Sequence, residues 1–150
     1  MKKKILLGIA GVLLLIQLFQ IDRTNPAVDP LLDLIEITNP PLQVKNVLKA
    51  ACYDCHSHET RYPWYSVIAP VSWWMKHHID EARDELNFSK WGTYDLKKSN
   101  HKLEEIGEEV DEGNMPLNSY ALAHSESKLT KDQRQTLVNW AKSQMKPEEE

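Results

Sequence analysis

The sequence predicts an all-α protein: a domain of about four helices behind an N-terminal transmembrane helix. Three observations lead there. Apolar residues recur at helical spacing in separate windows between residues 40 and 146. No window alternates apolar and polar residues as a half-buried strand would, and no internal repeat is present. Finally, Lys2, Lys3 and Lys4 precede an apolar run from Ile5 to Ile21, interrupted only by Gln17 and Gln20.

That run forms the first element, residues 1–21. A stretch of about 17 mostly apolar residues is near the lower limit for crossing a bilayer. The residues after it, "IQLFQIDRT", are bulky where a signal peptidase requires small ones, and no lipobox cysteine follows, so an uncleaved anchor is expected over a removed signal. Lysines retained in the cytoplasm would send the rest of the chain outward. The expected product is a single-pass inner-membrane protein with its C-terminal domain in the periplasm. Residues 22–39 read as a linker, because Pro26 and Pro30 interrupt any helix.

The domain proper is expected over residues 40–146. Asn39 suits a helix N-cap with Pro40 at the first helical position. Val44, Val47, Leu48, Ala51, Cys52 and Cys55 then share one helical face, so "CYDCH" would close a short amphipathic helix with both sulfurs inward. "TRYPWYSVIAP" reads as an aromatic loop. A second helix starts near Val71, with Val71, Trp74, Met75, His78, Ile79, Ala82 and Leu86 as its apolar stripe. A third runs from Asn100 to Glu112, with Leu103, Ile106 and Val110 inward and Gly113 as terminator. "NMPLNSYALAHSES" reads as a loop. The last helix opens on a capping box, Thr130 and Gln133, and places Leu137, Val138, Trp140, Ala141 and Met145 at helical spacing. Residues 147–150 are expected as an acidic tail.

The chain carries −4 at pH 7 although its first 21 residues hold three lysines and no acid, so the remainder is more acidic still. No basic patch with interleaved aromatics is present, which sets nucleic acid aside as a partner. Few bulky aliphatics serve the helices, while the loops are rich in aromatics. A small helical domain of this kind is short of core, and a large apolar cofactor would complete it.

The only two cysteines stand in Cys52-Tyr53-Asp54-Cys55-His56. A disulfide closing so small a loop removes little entropy from the unfolded chain. A thioredoxin-like couple requires the pair at a helix N-terminus after a strand, and here it ends a helix. A zinc site takes four ligands; His58 could be a third, but there is no second pair. C-x-x-C-H is the attachment pattern of a c-type haem: Cys52 and Cys55 would bond the two vinyl groups and His56 would ligate the iron from the proximal side. For the distal position Met115, in Gly113-Asn114-Met115-Pro116, is the first candidate, since a thioether on a stiff polar loop can face the histidine and raises the reduction potential. His78 is the alternative; on an apolar stripe its bland role is a core histidine with a hydrogen-bond partner. His58, His101, His124 or an open site are further options, and His77 falls on the polar side. Trp64, Trp73, Trp74 and Trp91 could line a haem crevice, whereas Trp140 reads as core. Arg61 or Tyr62 could bond a haem propionate.

Four blocks in order, "CYDCHSHETRYPWYSVIAPVSWW", "LNFSKW", "NMPLNSYALAH" and "KLTKDQRQTLVNWA", resemble the bacterial haem-binding domain family, membrane-anchored single-haem proteins similar to cytochrome c. The resemblance covers residues 30 to 145. It implies a cytochrome c-like fold, one covalent haem c at Cys52 and Cys55, His56 as proximal ligand, Met115 as distal ligand and a periplasmic setting. The closing helix resembles the C-terminal helix of small cytochromes c. The expected function is a membrane-anchored carrier of single electrons between periplasmic or membrane redox proteins, rather than an enzyme. The alternative is a haem-based enzyme or sensor, peroxidase-like or binding diatomic ligands, with an open or displaceable sixth iron position. A haemless redox or metal module is the third possibility.

Overall fold

The computed structural model describes residues 1–147, which contain eight α-helices and no strand. Helix α1 (Lys2–Ile16) is shorter than the apolar run, and none of its residues is buried. Its 15 residues extend about 22 Å, against about 30 Å of hydrocarbon in a bilayer. Among the described residues no helix is long and apolar enough to cross a membrane, so the expected transmembrane helix is not found. The cause lies at Gln17, the first polar residue of the run. Its amide donates to the carbonyls of Leu13 and Ala69 and its oxygen accepts from the Ala69 N–H. Trp73 Nε1 then donates to the Phe19 carbonyl. The chain leaves the helix to make these bonds with the domain.

The stretch expected as a linker is partly built into the domain. Pro30–Leu32 forms one 3-10 turn capped by Asp29, and α2 (Leu34–Thr38) is capped by the Asp33 carboxylate. The prolines that interrupt longer helices are compatible with a capped turn of this kind. Leu34 and Ile35 are buried. The segment packs closely on the Phe88–Thr93 turn: a Cβ on Gly92 would lie 2.9 Å from Ile37 and 3.1 Å from the Leu32 backbone. Asn39 does not cap the next helix. It closes α2 in the left-handed conformation, φ 41°, which asparagine tolerates better than most residues.

Helix α3 (Leu42–Ala51) buries Val44, Val47, Leu48 and Ala51. It stops at Cys52, where φ is −126°, and a single turn α4 (Tyr53–His56) follows. The motif therefore straddles a break instead of ending one continuous helix. The break sends Tyr53 into the core, stacked on Phe88 at 5.1 Å with its hydroxyl donating to Asp33, and leaves both cysteines half-buried. After a 3-10 turn at Trp64–Val67 comes α5 (Val71–Glu85).

Helix α6 (Leu96–Glu112) begins a turn earlier than the apolar pattern indicates, because the Asp95 side chain accepts from the Lys98 N–H; it ends at Gly113 with φ 83°. The segment expected as a loop after Pro116 holds α7 (Asn118–Ala123) and a 3-10 turn at Ser125–Ser127. Helix α8 (Lys131–Gln144) carries the capping box in full. It packs along α6 and against α3, enclosing Leu48, Leu103, Val110, Leu137, Val138 and Ala141. A fully buried side chain such as Leu48 or Leu137 contributes about 1.5–3 kcal/mol. Trp140 belongs to this core as expected, and Trp91 joins it, standing edge-on to Tyr94 instead of lining a crevice. Asn100 bonds the backbone of Lys146 on both sides. Residues 148–150 of the expected acidic tail lie outside the described residues.

Candidate functional site

The site starts from the break at Cys52. The short turn that follows sets the His56 ring against the C-terminal end of α5, where its Nδ1 lies 3.1 Å from both the Ala82 and Leu86 carbonyl oxygens. Carbonyls only accept, so Nδ1 carries the proton and Nε2 keeps its lone pair. Burial pushes the His56 pKa down, which favours the neutral imidazole. Arg83 Nε donates to the Ser57 carbonyl and holds the turn to α5 from the next position.

Two cavities open at this ring and a third adjoins them. The first, about 270 Å³, is lined by Cys52, His56, Leu86, Phe88, Ile106 and Met115, among others. The second, about 260 Å³, shares His56 and Met115 with the first and adds Cys55 and His78. The third, about 240 Å³, shares Cys55 and His78 with the second and extends to Trp74, Ile79, Tyr65 and Tyr120. The two cysteines thus open onto different lobes of one crevice, with His56 on the wall between them. The apolar stripe of α5 explains the crevice. Val71, Trp74, Met75, His78 and Ala82 line the cavities rather than packing on protein, and only Ile79 and Leu86 of the stripe are buried. Trp64 and Trp73 lie at the surface, leaving Trp74 as the tryptophan in the crevice.

Cys52 and Cys55 are free thiols. Burial, aided by the neighbouring cysteine, pushes Cys52 up to about 12; burial and the Asp54 carboxylate push Cys55 up to about 11. A dithiol redox couple works through a thiolate of lowered pKa, so these surroundings oppose that role. Among the described residues no group of three His, Cys, Asp or Glu side chains could hold a metal ion.

Met115 is held on a braced turn. Its N–H donates to the Glu109 carbonyl at 3.0 Å, and its carbonyl accepts from Arg134 Nη1 at 2.9 Å. The same nitrogen donates to the Val110 carbonyl at 2.7 Å. His78 donates from Nδ1 to the Trp74 carbonyl one turn back, and its ring lies 4.2 Å from that of Trp74. Its Nε2 is therefore free, like that of His56. The two differ in position. His78 stands one turn before Ala82, on the helix whose C-terminal carbonyls hold His56 Nδ1. Met115, on the 113–117 segment, lines both cavities that His56 lines, whereas His78 lines one of them. His58 has both ring nitrogens engaged, Nδ1 with the Ala27 carbonyl and Nε2 with the Asn87 amide. His101 and His77 pair with Glu105 and Glu81 on exposed helix faces. His124 stacks on Tyr120 at the far end of the third cavity.

Two positions escaped the sequence reading. One is Arg134. The other is Asp54, inside the motif itself. Its Oδ1 accepts from the Arg61 N–H and Nε, and its Oδ2 accepts from Arg61 Nη2 at 3.0 Å and the Tyr120 hydroxyl at 2.6 Å. Burial alone would raise the Asp54 pKa, but the Arg61 and Tyr120 donors outweigh it and hold the carboxyl below its ordinary value. The Arg61 guanidinium, expected at a haem propionate, pairs with Asp54 through Nε and Nη2 and lines the third cavity.

A family model described as a haem-binding domain matches residues 11–143. The chain belongs to the haem-binding domain family. No curated protein and no solved structure matches it. The residues of this haem-binding domain fit the group: one neutral imidazole on the wall of an apolar crevice, two thiols opening into the same crevice, and a helix stripe of which only Ile79 and Leu86 are buried.

Proposed function

We propose that this haem-binding domain is a c-type cytochrome that carries single electrons. Cys52 and Cys55 would hold one haem through thioether bonds, His56 would be the proximal ligand and Met115 the distal one. The observation that carries the proposal is His56. Its Nδ1 is pinned by two carbonyls, the arrangement that fixes the tautomer of a metal-binding histidine, and its ring lines one cavity with Cys52 and the next with Cys55. Bound there, haem supplies a one-electron iron couple. The chain's own residues exclude water with the α5 stripe, Phe88 and Ile106, and keep the ligand-bearing segments still.

A haem enzyme or sensor requires a displaceable sixth position. The bracing of Met115 by Glu109 and Arg134 favours the carrier. His78, with its own free Nε2, is the residue that would serve the alternative.

The periplasmic setting belongs to the same proposal, as what the family resemblance implies. Helix α1 is too short to span, yet its exposed leucines and isoleucines call for an apolar cover; the proposal assigns it to the membrane surface, and redox proteins of the periplasm or membrane as partners. The test is a spectroscopic redox titration of the haem-loaded protein with carbon monoxide added to the reduced form. The carrier shows one reversible one-electron wave and low-spin spectra indifferent to carbon monoxide. A high-spin form that binds carbon monoxide supports the enzyme-or-sensor alternative.

A further inference from the structure

We infer that Arg134 is the positioning residue for the sixth ligand. It holds the turn that presents Met115 to the crevice, and this rests on Met115 being that ligand. A thioether is a neutral and weak ligand, so its occupancy depends on how firmly the backbone behind it is fixed. Three groups fix this backbone. Gly113 reverses the chain at the end of α6, the Met115 N–H returns to the Glu109 carbonyl, and Arg134 reaches across from α8. The first two bonds are local to the turn. Among the described residues the arginine is the side chain whose hydrogen bonds tie it to another helix, and it does so at both ends of the turn, through the carbonyls of Val110 and Met115. Its positive charge also lies at the C-terminal end of α6, where a helix dipole favours a cation. Since α8 packs along α6 and closes the core, the guanidinium transfers the rigidity of that helix pair to the methionine.

Both bonds leave a single nitrogen, Nη1. A lysine ammonium, with three donors on one atom, can make the same pair. Arg134→Lys should therefore keep the turn in place, whereas Arg134→Met keeps the apolar stem and loses both bonds.

The experiment uses the full-length, haem-loaded, oxidised protein and added imidazole as probe. Imidazole binds only when Met115 has left the iron, so its apparent affinity reports the open fraction. Hydrogen bonds from a charged donor are among the stronger ones, and losing two of them should raise the apparent imidazole affinity of Arg134→Met by about ten- to a hundredfold. The methionine–iron charge-transfer band should weaken in parallel, and Arg134→Lys should stay within about threefold of the parent. In a Met115→Ala background Arg134→Met should change imidazole affinity no further. A residue that only stabilises the fold would shift both backgrounds alike, and that result, or parental affinity in Arg134→Met, overturns the inference. If Met115→Ala itself leaves both the band and the affinity unchanged, Met115 is not the ligand and the inference falls with it, by a visibly different pattern. Should Arg134→Met fail to fold, Arg134→Gln, whose shorter neutral amide can reach at most one carbonyl, is measured in both backgrounds against the same outcomes.

Discussion

Removing the Tyr120 hydroxyl tests the link between the cysteine motif and α7. In the parent, Asp54 accepts four hydrogen bonds, three from Arg61 and one, the shortest at 2.6 Å, from Tyr120. Tyr120→Phe keeps the ring on the cavity wall and takes away one bond. The Asp54 carboxylate is not orphaned, since the three Arg61 donors remain. The cost is that of one hydrogen bond to a charged group, about 1.5–3 kcal/mol, taken at the low end because Tyr120 is only half-buried. A loss of about 1.5 kcal/mol in a protein of this size lowers Tm by about 3–6 °C. Urea unfolding of the haem-loaded protein, followed by far-ultraviolet circular dichroism, reads the free energy. The same substitution in an Asp54→Ala background should cost under about 0.5 kcal/mol, because its partner is already gone. Equal costs in the two backgrounds would refute the link.

Met115→Ala should leave haem attached, abolish the methionine–iron charge-transfer band and lower the reduction potential, read by redox titration. Replacing Cys52 and Cys55 together with serine should yield protein without covalent haem. With the α5 stripe uncovered, its thermal transition should broaden or disappear in calorimetry. Leu34→Ala, at a side chain with no exposed surface, should cost about 2–5 kcal/mol in urea unfolding, a loss that a free linker would not show. Gly113→Ala meets no neighbouring atom, so only its left-handed backbone objects; the expected cost is about 1–2 kcal/mol by the same assay.

What was legible in the sequence was local. The start of α8 is written in Thr130 and Gln133 and the end of α6 in Gly113, because caps act over three or four residues. C-x-x-C-H is legible for the same reason: attachment chemistry needs its atoms close together in the chain. The α5 periodicity was visible, but its meaning was not, since a stripe that faces a crevice looks like one that faces another helix. That Met115 shares two cavities with His56 and His78 only one was not legible either, because it depends on where the Ala82 and Leu86 carbonyls hold the His56 ring. The fold of residues 30–38 depends on the space left by Gly92, and the end of α1 on bonds from Gln17 to Ala69, far along the chain. Asp54–Tyr120 and Met115–Arg134 join residues 66 and 19 positions apart, and no spacing rule connects them.

The central claim is one haem bound covalently through Cys52 and Cys55. The direct measurement is the intact mass of the full-length protein, matured in a host able to attach haem c, after denaturation and acid extraction of free haem. The account predicts a single species heavier than the polypeptide by one haem, with the addition confined to a peptide containing both cysteines. A polypeptide of unmodified mass, whether its haem was extracted or never bound, would contradict it.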